Sequence, residues 1–176
     1  MKIFYQISAV IALLVCSCEN RSRKSSGWFA VNSESGGFQI EMPSEPKSIE
    51  NKFPLPDGLS VEGWNYIYED SSGLSFTAGY VDWPESWVSS RPSSWFLDSG
   101  RDGMIKTLGG SLTRESNIEI DGHPGRDVMG RVPGLGSIWG RVYMVNNRFH
   151  QVSVVYKTDE PSFTEIETFF NSFTLK

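Results

Sequence analysis

Few side chains in this 176-residue chain are equipped for covalent or acid–base chemistry. Its two histidines are His123, within the turn-like His123-Pro124-Gly125, and His150, at a strand-like position suited to partial burial. Catalysis by either ring needs a serine, thiol or carboxylate within hydrogen-bond reach. No Gly-x-Ser-x-Gly elbow marks a nucleophile, although serines are abundant and a set assembled from distant residues stays open. Two separated histidines and scattered carboxylates give no zinc or EF-hand spacing. Asp98 and Asp102 share a helix face at i, i+4, and Glu69 and Asp70 share a turn; both pairs read as solvated surface. Gly109-Gly110 and Gly134-Leu135-Gly136 border strands as turns, whereas a phosphate loop opens a helix behind a strand. The expectation is no catalytic set, no metal and no cofactor.

The cysteines point to different chemistry. Both of them, Cys16 and Cys18, lie at the end of an apolar run from Ile3 to Val15 that follows Met1-Lys2. That run is shorter than the roughly 20 apolar residues a permanent membrane span requires, and its layout is that of a signal peptide. Val15-Cys16-Ser17-Cys18 resembles the bacterial lipobox, with an aliphatic residue three places before, and a small residue immediately before, the cysteine that takes the lipid. Cys18 fits; Cys16 would place Val15 at the cut. Residues 1–17 therefore read as a signal peptide, Cys18 as the lipidation site, residues 18–27 as a polar tether and residues 28–176 as one domain. As an unstructured chain the nine residues after Cys18 would reach about 15 to 18 Å. No thiol is left for a disulfide, so the domain must be held by its own core, and its 39% hydrophobic and 13% aromatic composition suits that. Removal of residues 1–17 takes away Lys2 alone among charged residues, leaving 15 basic against 21 acidic. Such a balance argues against a nucleic-acid partner.

The elements that would position these side chains are mostly strands. Phe38, Ile40 and Met42 alternate up to Pro43, and Val61 to Tyr68 and Leu74 to Val81 flank the turn Glu69 to Gly73. Leu112 to Ile120 ends at Asp121-Gly122, and Arg126 to Val132 ends at Pro133-Gly134. Ile138 to Val145 and Phe149 to Tyr156 flank Asn146-Asn147, a pair that tolerates positive φ at both centre positions of a tight hairpin. Helix is expected over residues 93–108, despite Gly100 and Gly103, and over residues 162–171, where Ser162 and Glu165 form a capping box. Phe173 and Leu175 alternate as a last short strand. The fold class is α+β, with about six or seven antiparallel strands and two helices.

This order of elements resembles the Mog1/PsbP-like sandwich, which includes the DcrB-type bacterial lipoproteins. The likeness is carried by Gly37-Phe38-Gln39-Ile40-Glu41-Met42-Pro43, by Asp121-Gly122-His123-Pro124-Gly125-Arg126-Asp127, by Gly140-Arg141-Val142-Tyr143 and by Phe169-Phe170-Asn171-Ser172-Phe173. The resemblance implies a protein that binds partners or acts as an accessory factor, and no catalytic residues carry over. The expected role is a membrane-anchored, non-catalytic envelope lipoprotein with an envelope protein or ligand as partner. An envelope hydrolase with an unidentified serine, or a purely structural or assembly factor, is the alternative.

One segment stands out as a candidate binding face. Residues 81–96 hold three of the six tryptophans, Trp83, Trp87 and Trp95, beside Pro84 and Pro92. A polar, proline-bearing connection should be exposed, yet tryptophan is enriched at binding hot spots and large aromatics also cap cores. Core capping is the favoured reading. If the segment is instead a binding face, Trp87, farthest from either flanking element, is the ring expected to stay exposed.

Overall fold

The computed structural model describes residues 27–157 and 163–176. The first five strands are β1 (Phe29–Ser33), β2 (Phe38–Met42), β3 (Lys47–Pro54), β4 (Ser60–Glu69) and β5 (Ser75–Asp82). Two helices follow, α1 (Glu85–Val88) and α2 (Ser93–Ile105), the latter continued by a 3-10 turn over Lys106–Leu108. Four long strands come next: β6 (Ser111–Ile120), β7 (His123–Val132), β8 (Gly136–Val145) and β9 (Arg148–Tyr156). Helix α3 (Phe163–Ser172) and the two-residue β10 (Thr174–Leu175) complete the order.

The described residues form ten strands rather than the expected six or seven: a seven-stranded antiparallel sheet, β3-β4-β5-β9-β8-β7-β6, which includes the unanticipated β3, and a second sheet, β1-β2-β10, which takes the expected strands at Phe38 to Met42 and at the C-terminus and adds β1. Since successive side chains point to opposite faces, the large sheet serves two cores. Along β8, Ile138, Val142 and Met144 join the cluster beneath α1 and α2, while Trp139, Tyr143 and Val145 join the cluster shared with the small sheet and α3. The large sheet is thus the middle layer of three.

Turn chemistry explains the joints. Asp121 (φ 49°) and Gly122 (φ 81°) make the β6–β7 turn, the pair of positive φ values a two-residue hairpin asks for. In the β8–β9 turn Asn146 takes a positive φ of 55° and Asn147 does not, so the expected pair is halved. Strand β7 begins at His123, three residues before the expected start, because Pro124 pairs only with Glu119 of β6; β8 pairing starts at Gly125, so the missing N–H lies outside the doubly paired stretch. Gly100 sits inside α2 for a packing reason: a Cβ there would fall 2.1 Å from the Phe149 ring, so glycine lets β9 close against the helix. The capping box expected at Ser162 lies outside the described residues. At the far edge of the sheet β6 is exposed over its first seven residues, and its pairing slips between Leu112 and Arg114.

Candidate functional site

The tryptophan segment folds as a linked turn and helix rather than an irregular connection. Pro84 and Pro92 occupy the N-caps of α1 and α2, where a missing N–H costs no helical hydrogen bond. Before α1, the Trp83 N–H donates to the Asn147 carbonyl at 2.9 Å, tying the end of β5 to the β8–β9 turn. Residue 87, three places into the short helix, is thereby turned inward over Trp83. Trp83 and Trp87 are each 6% exposed and stack at 5.6 Å with planes 28° apart. Trp95, on the first turn of α2 and partly buried, meets both edge-on at 6.0 Å. Trp83 and Trp87 are therefore core, as the favoured core-capping reading has it, and the ring nearest solvent is Trp95 rather than the Trp87 that the binding-face reading would have exposed.

Two charged groups secure this cluster from outside. The Trp87 Nε1–H donates to Asp57 of the β3–β4 turn at 2.6 Å, and that bond holds the Asp57 carboxyl below its ordinary range. Arg91 places its guanidinium 4.0 Å from the Trp87 ring centre and 5.1 Å from that of Trp95, a cation–π arrangement, and donates to Ser90 Oγ at 2.9 Å. Trp83 Nε1 is buried without a hydrogen-bond partner among the described residues.

Among the described residues, no hydrogen bond joins either histidine to a serine, thiol or carboxylate. His123 lies half-buried at the start of β7. His150 is 1% exposed, not partly buried as expected, because β9 is the central strand of the large sheet and this position faces the small one. Phe38 and Phe173 approach it edge-on at 5.8 and 5.7 Å, and Tyr80 and Tyr143 are its cross-strand partners. Burial, aided by the nearby Arg148 charge, pulls its pKa down to about 4, so the ring is neutral at pH 7. No group of three or more His, Cys, Asp or Glu suited to a metal occurs among the described residues, and none of the described helices is long and apolar enough to cross a membrane.

Asp98 and Asp102 belong to an ion network. Arg101 donates to Asp98 at 3.3 Å, to Asp102 at 2.8 Å and to both oxygens of Glu115 on β6, while Arg126 on β7 lies 3.3 Å from Glu115. The network fastens α2 to the β6–β7 hairpin. On the opposite face is a centre not anticipated in the residue spacing. Asp127, 5% exposed, accepts from Arg114 at 2.9 Å, from Arg141 at 3.1 Å and from the Trp139 indole at 3.1 Å on both oxygens. Arg114 lies over the Trp139 ring and Arg141 over Phe170. Its signal lay in the register: Asp127 and Arg141 are direct cross-strand partners, and both fall in the stretches that carry the family resemblance.

Lipidation at Cys18, the signal peptide and the tether up to Ser26 lie outside the described residues. No protein-family model and no curated protein matches the chain. Among solved structures, the solution structure of cyanobacterial PsbP (CyanoP) from Synechocystis sp. PCC 6803 aligns with a TM-score of 0.58 at 11% identity, over 92% of this chain and 99% of that one. A crystal structure of a protein of unknown function from Pseudomonas aeruginosa aligns with a TM-score of 0.34 at 11% identity, over 76% and 85% of the two chains. With an antiparallel seven-stranded sheet, a three-stranded sheet and helices on both sides, this chain has a PsbP-like fold.

Proposed function

We propose that this protein is a lipid-anchored, non-catalytic accessory factor of the bacterial envelope, held by Cys18 and binding an envelope protein through the surface around Trp95 and Arg91. The observation that carries the binding reading is the placement of Trp95. It is partly exposed, set edge-on against two buried indoles and flanked by a guanidinium stacked on its neighbour. A rigid tryptophan beside an arginine is the composition that dominates interface hot spots, and the packing beneath removes the ordering cost of presenting it. The PsbP-like fold agrees with an accessory role, and the lipobox-like Val15 to Cys18 supports the anchor.

Crosslinking pull-downs from intact membranes test the proposal. Trp95→Ala should weaken partner capture by about 2 kcal/mol or more while lowering the melting temperature less than Trp87→Ala, since Trp95 is only partly buried. Undiminished capture by a folded Trp95→Ala variant would remove the site. For the anchor, Cys18→Ser should no longer partition into the detergent phase, since two or more acyl chains are what make attachment stable; a variant that still does so is held elsewhere.

A further inference from the structure

The centre on the opposite face from the tryptophan cluster carries more positive charge than its own chemistry uses. Arg114 and Arg141 both reach the single carboxylate of Asp127, so two cations face one anion. Each spends one N–H on that carboxylate, Arg114 through Nη2 and Arg141 through Nε, and Arg141 also hydrogen-bonds the Tyr143 hydroxyl, out of the five N–H groups a guanidinium has to give. Trp139 and Phe170 hold the two planes from below. The Arg114 side chain stays 53% exposed and that of Arg141 26%. Two arginines fixed by a shared carboxylate and aromatic floors, and still partly open to solvent, form a fork suited to a phosphate group.

Its position in the fold says which phosphate. Phe76, Val154, Trp139, Met129 and Arg114 are successive cross-strand neighbours on one face, so at about 4.8 Å per strand Arg114 lies roughly 19 Å from Phe76 along this row. Trp28, at the start of the described domain, packs against Phe76 at 6.1 Å. The chain from Cys18 therefore joins the domain on the face, and near the row, that bears the arginines. Phe163, 64% exposed, the highest value among the large hydrophobic residues described, stands 6.5 Å from Trp139 on this same row. Arginines with an indole and an exposed phenyl ring make an interfacial composition, in which the cations meet head groups and the rings sit at the acyl boundary.

We propose that this end of the sandwich lies on the membrane, with Arg114 and Arg141 holding the phosphate of an anionic phospholipid head group and Phe163 entering the interface. The inference rests on the lipid-anchor reading for its geometry but is measured without it. The full chain in a neutral detergent is titrated with dihexanoyl phosphatidylglycerol, dihexanoyl phosphatidylcholine and inorganic phosphate, with binding read by calorimetry. Phosphatidylglycerol should bind about tenfold more tightly than either of the others, and Arg114→Gln should lower that affinity about tenfold, with partial recovery in Arg114→Lys, which keeps charge but loses the fork. Phe163→Ala should weaken lipid binding and leave phosphate binding unchanged. Equal binding of the two lipids, phosphate binding as tight as phosphatidylglycerol, or an Arg114→Gln variant of unaltered affinity and melting temperature would each overturn the proposal. If Arg114→Gln fails to fold, the Arg114→Lys and Phe163→Ala comparisons decide it. A failed anchor shows as Cys18→Ser still partitioning into detergent and leaves these titrations as they are.

Discussion

The same three side-chain types meet twice in this molecule, once on each face of the large sheet. Beneath α1, the Trp87 indole donates to Asp57 and Arg91 stacks on its ring; beside α3, the Trp139 indole donates to Asp127 and Arg114 stacks on its ring. What differs is which member is buried. In the first the ring is core and the carboxylate sits on an exposed turn. In the second the carboxylate is core and the ring is only partly covered. The first group therefore stabilises mainly through apolar area and shape. The second must satisfy a buried anion, which takes the indole and two arginines.

That contrast sets an order of expected effects. Truncation of Trp83 or Trp87 to Ala should cost about 3 to 5 kcal/mol, the usual range for a buried Trp, read as a fall in chemical or thermal stability; a loss under about 1 kcal/mol would show that these rings do not cap a core. His150, in the same core as Tyr143 and Phe173, supplies the next effect. Its pKa falls from 6.5 to about 4 on folding, so the unfolded chain takes up the proton first and stability declines as pH drops from 6.5 towards 4. Between pH 6.5 and 5, above most carboxylate titration, the loss should be about 2 kcal/mol. A His150→Gln variant should lack that slope in denaturant titrations; an unaltered slope would assign it elsewhere. Asp127→Asn should cost about 1 to 3 kcal/mol, less than the tryptophans because Arg114, left without its anion, is already half in water. Asp57→Asn should leave the melting temperature nearly unmoved, because the group is at the surface and the amide oxygen still accepts from Trp87. A larger effect at Asp57 than at Asp127 would invert the contrast.

Much of the fold is legible in the sequence where one residue decides one geometry. Asp121-Gly122 and the alternation of Phe38, Ile40 and Met42 state their turn and strand directly, and the observed burial of that strand is strictly alternate. Strand β3 is not so written: Lys47 to Pro54 is mostly polar, and its one fully covered position is Asn51, so apolar period carries no signal there. Helix α1 is a single turn, shorter than any periodicity can register. The tryptophan segment was visible as composition, but its orientation depends on the bond from Trp83 to Asn147, a partner 64 residues away. The Asp127 centre was hidden for a related reason. Its donors come from two strands, β6 and β8, on either side of β7, and only the pairing register, with Arg141 directly opposite Asp127, reveals that they meet.

Strand β10 is two residues long, yet it pairs with β2 through Thr174↔Gln39 and Leu175↔Phe38, and the Lys176 N–H donates to the Gly37 carbonyl. Phe38, fully buried, takes part of its cover from Phe173 at 5.4 Å. The large sheet has a similar dependence, since β5 finds its second neighbour only in β9. Contacts of such sequence separation are slow to form, so folding should run on the millisecond-to-second scale of β-rich domains rather than in microseconds. A nascent chain emerging N-terminus first has both of its central pairings outstanding until late in synthesis. If the chain is exported as the proposed lipid anchor requires, that delay is useful: a signal can be engaged while the sandwich is still unable to close.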